Sequence, residues 1–103
     1  MVFFNNPEMP GGTEHILVVD DERPICELCR LMLESMGYVV STASDPGTAL
    51  ELFTAQPEEY DLLITDIRMQ PVSGNDLIQK IVEIRPGIPV IAHTSDIAIL
   101  YTN

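Results

Sequence analysis

Residues 16–22 read ILVVDDE, and this short stretch decides the fold. Ile16, Leu17, Val18 and Val19 follow one another without a polar interruption and end on Asp20 and Asp21. A strand with one wet face alternates apolar and polar side chains, whereas an unbroken apolar run suits a strand covered on both faces, as in a parallel sheet. The same pattern recurs twice downstream. Leu62, Leu63, Ile64 and Thr65 run into Asp66, and Pro89 to Ala92 run into His93 and Thr94. A further short strand is expected over Tyr38 to Ser41.

Helical spacing fills the gaps. Pro24 suits the first turn of a helix, where a missing N–H costs nothing. Ile25, Leu28, Cys29, Met32 and Met36 then recur with helical period, and Gly37 closes the element. Ser44 or Asp45 is placed to cap a second helix that has Pro46 in its first turn and Ala49, Leu50, Leu52 and Phe53 as its apolar side. Leu77, Ile78, Ile81, Val82 and Ile84 mark a third helix, stopped before Pro86 and Gly87. Strands alternating with helices over short connections predict an α/β domain with a right-handed parallel sheet and helices on both faces. Residues 1–14 read as a loose leader broken by Pro7, Pro10, Gly11 and Gly12, and the domain proper as 15–103.

The chain has 103 residues, 46% of them hydrophobic, which is enough for one thin core and not two. Sixteen acidic residues against five basic ones give a net charge of -11. That balance argues against a nucleic-acid binder, which needs a basic face for phosphate, and against docking on anionic lipid. No apolar run approaches the roughly 20 residues of a membrane span, and the first residues lack the basic flank of a secretory signal. The expected location is the cytoplasm. Cys26 and Cys29 form a C-x-x-C pair. A redox pair wants its thiolate at a helix N-terminus; this one follows Pro24 by two residues, which leaves redox use open, while the flanking residues favour two small apolar side chains inside the first helix. Zinc held through sulfur lacks further ligands close in sequence.

In an open parallel sheet the ligand site lies beyond the carboxyl ends of the strands. The acids and the hydroxyl that end these strands therefore define an expected site: Asp20, Asp21, Asp66 and Thr94. Three carboxylates at close quarters repel and raise one another's pKa unless a cation intervenes. Mg²⁺ suits them, because it takes one or two carboxylates and completes its shell with water and phosphate oxygens. A carboxylate beside such an ion is placed to attack phosphorus, and a hydroxyl such as that of Thr94 to donate to a phosphoryl oxygen. Taken singly, each acid has a plainer reading as a helix cap or a solvated loop residue. It is their joint placement at strand ends that favours a site.

With these residues in view, the chain resembles the receiver domain of bacterial two-component response regulators. The resemblance rests on ILVVDDE at 16–22, LLITDIRM at 62–69, the glycine of VSG at 72–74 and PVIAHTS at 89–95. It implies a flavodoxin-like (CheY-like) sheet and a phosphoacceptor module that takes a phosphoryl group on Asp66 from a sensor histidine kinase with Mg²⁺. Such a module signals to a downstream effector protein or domain by conformational change. It assists its own phosphorylation and dephosphorylation rather than acting as an enzyme on another substrate. Asp20 and Asp21 correspond to the metal-binding acidic pair, joined by Asp66 and the backbone carbonyl of Arg68. Thr94 corresponds to the switch hydroxyl, and the backbone N–H of Ser95 to a phosphoryl contact. A phosphatase built on an aspartyl nucleophile would want a second acid two residues after Asp66, where Arg68 stands.

Two departures from the family pattern stand out. Met69 is followed by Gln70 and only then Pro71, although Gly74 keeps its offset from Asp66. The only lysine is Lys80, in the third helix, and the pattern of a last strand and helix is missing if the chain ends at Asn103. This leaves a second reading open, a degenerate receiver-like interaction module that is not phosphorylated. On a truncated sheet the fourth strand, Ile88 to Ala92, is expected to be an unpaired apolar edge that invites a homodimer, and the first helix to expose apolar surface. Ile97 to Tyr101 is short enough to begin a helix or to pair as a strand.

Overall fold

The computed structural model describes residues 14–68 and 74–93, together with the backbone of 98–101. The elements run β1 (His15–Val19), α1 (Arg23–Ser35), β2 (Val39–Ala43), α2 (Pro46–Ala55), β3 (Leu62–Asp66), α3 (Gly74–Ile84), β4 (Val90–His93) and β5 (Ala98–Tyr101). The strands form one sheet in the order β2-β1-β3-β4-β5. β1 to β4 are parallel, as the continuous apolar runs predict. The leader expected over residues 1–14 lies, but for Glu14, outside the described residues.

Strand alternation divides the core into two layers. Leu17, Val19, Leu63 and Val90 point to one face, where Ala49 and Phe53 of α2 and Leu77 and Ile81 of α3 cover them. Ile16, Val18, Leu62 and Ile64 point to the other and meet Cys29 and Leu33 of α1, with Tyr38. Phe53 is fully buried and stacks on Tyr60, ring centroids 5.7 Å apart. Burial of each such side chain contributes roughly 1.5–3 kcal/mol.

Local chemistry sets the helix ends. Asp45 caps α2 by accepting from the Thr48 amide through Oδ1 and from the Thr48 hydroxyl through Oδ2, both at 2.8 Å. α1 enters through Glu22 without a side-chain cap, with Pro24 in its first turn. It leaves through Gly37, whose φ of +96° only glycine adopts cheaply. The amides of Gly37 and Tyr38 return to the carbonyls of Glu34 and Leu33, a Schellman-type stop.

The structure departs from two expectations. The buried stripe of α1 is Cys26, Cys29 and Leu33, not Leu28, Met32 and Met36. This helix carries apolar residues on two sides, and the sheet takes only one. Leu28 and Leu31 are 53% and 54% exposed, and Met32 and Met36 also face outward, so the expected bare apolar surface on this helix is present. The second correction concerns β4, which is not an unpaired edge. Its partner is β5, antiparallel, with Val90 opposite Tyr101 and His93 opposite Ala98. Backbone pairing takes up the hydrogen-bonding groups that the expected homodimer edge would have offered, and residues 98–101 form a strand rather than a helix start.

Candidate functional site

The parallel register carries the site. Val19 pairs with Thr65, and Asp66 pairs with His93. Asp20 follows Val19, and its amide continues the sheet by donating to the Ala43 carbonyl at 3.2 Å. Asp20, Asp66 and His93 thus stand in one transverse row at the carboxyl edge, on the α1 side of the sheet. One ligand atom from each of the three lies within 4.8 Å of the others.

Asp20 is 2% exposed. Its Oδ1 accepts from the Glu22 amide at 2.9 Å, and its Oδ2 lies 3.8 Å from Nε2 of His93, itself 4% exposed. Burial pushes the Asp20 carboxyl above the ordinary aspartate range. The Glu22 amide opposes that shift, the charge of Asp66 adds to it, His93 opposes it and Asp21 adds to it. A buried carboxylate facing a second one calls for a counter-charge. Cys26, in the first turn of α1, braces the same corner by donating its thiol hydrogen to the carbonyls of Asp20 and Ala43, at 3.2 and 3.5 Å.

Asp66 ends β3 half-buried. Its Oδ1 accepts from the Arg68 amide at 2.9 Å, which fixes the carboxylate plane. The chain then turns, the Ile67 amide bonding to the His93 carbonyl at 3.0 Å and the Gly74 amide to the Ile67 carbonyl at 3.2 Å. Gly74 brings the start of α3 against the main chain of Asp66 and Ile67, with no room for a side chain.

The structure therefore unites Asp20 and Asp66. Asp21 is exposed and stands outside the trio, acting on it through charge. Arg68 is exposed and engages Asp66 through its amide. Thr94 and Ser95 lie outside the described residues. Lys80 is exposed on α3, which packs on the opposite face of the sheet. The member missed from sequence is His93. The strand-end rule that selected Asp66 also selects His93, since both fall in the same row, but it showed only once β3 and β4 were placed in register. The donor set fits a divalent cation: two carboxylates and an imidazole in mutual reach, one carboxylate buried and, among the described residues, without a cationic side chain hydrogen-bonded to it.

A mostly parallel sheet with helices on both faces and an acidic site at its carboxyl edge defines a doubly wound α/β domain of the flavodoxin type. Residues 16–102 match the response regulator receiver domain family, and the chain belongs to it. It is similar to the response regulator SaeR of Staphylococcus epidermidis, with 37% identity over 81 residues that make up 79% of this chain and 34% of SaeR. It is also similar to the transcriptional regulatory protein GlrR of Escherichia coli, 38% identical over 79% of this chain and 18% of GlrR. The match thus spans about a third of the one and under a fifth of the other. Among solved structures, a receiver domain protein from Clostridium thermocellum superposes with a TM-score of 0.77 at 38% identity, over 79% of this chain and 64% of that one. TrrA from Thermotoga maritima, solved in complex with Mg²⁺-BeF, gives a TM-score of 0.74 at 36% identity, over 80% of this chain and 70% of TrrA. TrrA bound to the histidine kinase ThkA gives 0.72 at the same identity, over 80% of this chain and 69% of that one. Among the described residues no helix is long and apolar enough to cross a membrane.

Proposed function

We propose that this receiver domain is a phosphoacceptor, with Asp66 as the residue that carries the phosphoryl group and a sensor histidine kinase as its donor. The observation that supports the reading most is the row at the carboxyl edge, where Asp66 stands with Asp20 and His93 inside 4.8 Å. In the step, a carboxylate oxygen of Asp66 forms a bond to phosphorus while the bond from phosphorus to the donor nitrogen breaks. The proton needed by the departing imidazole comes from solvent. The Arg68 amide orients the attacking carboxylate. The Glu22 amide holds Asp20 in place as a cation ligand.

Asp20, Asp21 and Asp66, with the backbone carbonyl of Arg68, are the residues that would hold Mg²⁺. When bound, the ion neutralises charge that builds up on the phosphoryl oxygens. Asp21, being exposed, would contribute through bound water. The Thr94 hydroxyl and Ser95 amide are proposed to contact the phosphoryl oxygens. Their movement would pass the signal to an effector protein or domain, the bistable element that such modifications bias. A cytoplasmic location, the compartment of the donor kinase's phosphohistidine, goes with this reading. So does the assignment of the domain as a self-assisting phosphoacceptor and not an enzyme acting on other substrates.

The test is incubation with Mg²⁺ and acetyl phosphate, followed by intact mass spectrometry. One hydroxylamine-labile phosphoryl adduct is expected on the wild type and none on Asp66→Asn. No adduct on the folded wild type supports instead an interaction module that is not phosphorylated, and an adduct that survives Asp66→Asn overturns Asp66 as the acceptor.

A further inference from the structure

The row at the carboxyl edge holds an imidazole as well as carboxylates, and that changes which ions it suits. His93 is buried, it pairs across the sheet with Asp66, and its Nε2 faces Oδ2 of Asp20 at 3.8 Å. All three candidate ligand atoms lie within 4.8 Å of one another. In a zinc site with metal–ligand distances of about 2.0–2.2 Å, neighbouring ligand atoms sit about 3–3.5 Å apart. Side-chain rotations of a few tenths of an ångström up to about 1 Å close that difference, with no change in backbone register.

We infer that His93 is a third side-chain ligand, giving an Asp20–Asp66–His93 site for an imidazole-preferring divalent ion such as Zn²⁺ in addition to the all-oxygen Mg²⁺ site. Imidazole nitrogen favours Zn²⁺, Co²⁺ and Ni²⁺, whereas Mg²⁺ prefers oxygen and keeps several waters. The inference rests on the reading of Asp20 and Asp66 as cation ligands. Its consequence for that reading is inhibition. An ion held by both Asp66 and His93 ties up the carboxylate that would attack phosphorus, so Zn²⁺ becomes an antagonist of phosphoryl loading and not a substitute for Mg²⁺. Ligation through Nε2 puts the imidazole proton on Nδ1.

The experiment measures Zn²⁺ and Mg²⁺ binding by calorimetry on the full chain, for the wild type, His93→Leu and His93→Gln. Loss of an outer-shell partner alone typically weakens metal binding about 10- to 100-fold, so loss of a direct ligand is expected to weaken Zn²⁺ binding by about 10-fold or more. Mg²⁺ binding is expected to change much less. Equal Zn²⁺ affinity in the wild type and in both variants overturns the inference. Should the variants fail to fold, Co²⁺ on the wild type decides. A hyperfine-shifted imidazole resonance is expected, and it should persist in His15→Gln. Its absence, or a thiolate-to-cobalt charge-transfer band from Cys26 or Cys29, overturns the inference. Adduct formation with Mg²⁺ and acetyl phosphate, run on the same preparations, keeps the two readings apart. An adduct with no His93-dependent Zn²⁺ site removes the inference alone. A His93-dependent site with no adduct removes the phosphoacceptor reading and retains the inference.

Discussion

Gly74 sits directly against the main chain of Asp66: a Cβ on Gly74 would collide with the Asp66 carbonyl oxygen and lie 2.6 Å from Cα of Ile67. The atoms it would strike are backbone, which cannot rotate aside. The start of α3 and the end of β3 are thus held together by the lack of a side chain, and the position of the Asp66 carboxylate depends on it. Gly74→Ala is expected to cost at least the 1–3 kcal/mol of ordinary overpacking. For a domain of this size each kcal/mol lowers Tm by about 4–8 °C, so a drop of at least about 4 °C is expected. Thermal unfolding followed by circular dichroism measures it, and the Arg68 amide resonance should shift with it.

Phe53 shows how thin the core is. It fills the layer between α2, α3 and the sheet, and stacks on Tyr60. Phe53→Ala is expected to cost about 3–5 kcal/mol, a large share of the total for a small domain. Urea denaturation should show a lower midpoint and, if the native fold persists, an unchanged slope.

Burial raises the pKa of Asp20 in the folded state. The sign follows from linkage. Its ionised form is penalised by folding, so the wild type carries a cost above the raised folded pKa that fades as pH falls towards the ordinary value of 3.8. Asp20→Asn keeps an oxygen for the Glu22 amide and removes the charge. It is expected to be more stable than the wild type at neutral pH without divalent ions, with the gain shrinking as the solution is acidified. Saturating Mg²⁺ should reduce the gain, since the ion stabilises the protein that keeps the carboxylate more than the variant. Melting curves from pH 3 to 8, with and without Mg²⁺, test both statements.

Cys26 and Cys29 lie in α1, buried and without a disulfide. Burial pushes the Cys29 thiol up to about 11, with the nearby Cys26 adding to it, and raises Cys26 as well. Thiols of this kind are poor nucleophiles at neutral pH. Their reaction with a disulfide reagent is expected to be slow in the native protein and to follow unfolding as urea is added. Fast labelling of either thiol in the native state would contradict their placement.

Much of this was legible in the residues because each signal was local. Unbroken apolar runs gave β1 and β3, Asp45 with Pro46 gave the start of α2, and Gly37 and Pro86-Gly87 marked where helices stop. Where reading failed, the deciding fact was long-range. α1 has apolar residues on two sides, and only the sheet's position shows that Cys26, Cys29 and Leu33 face inward while Leu28 and Met32 do not. β4 reads as an edge until Ala98–Tyr101 is placed beside it. Five apolar residues do not distinguish helix from strand by period, and pairing decided it. At the site, Asp20 and Asp66 followed from strand ends, but His93 required the register between β3 and β4. Asp21, next to Asp20 in sequence, lies past the end of β1 in the bend that leads to α1, where the Glu22 amide folds back onto Asp20, and it is exposed.

Carboxylates 46 positions apart in sequence are expected to serve one cation beside Asp66. Two amides report on it directly, since Glu22 donates to Oδ1 of Asp20 and Arg68 to Oδ1 of Asp66. Mg²⁺ titration followed by ¹H–¹⁵N NMR is expected to move both resonances along one binding curve with a single Kd. In Asp66→Asn both responses should weaken together. Resonances that stay still, or that titrate with different midpoints, would contradict a shared site.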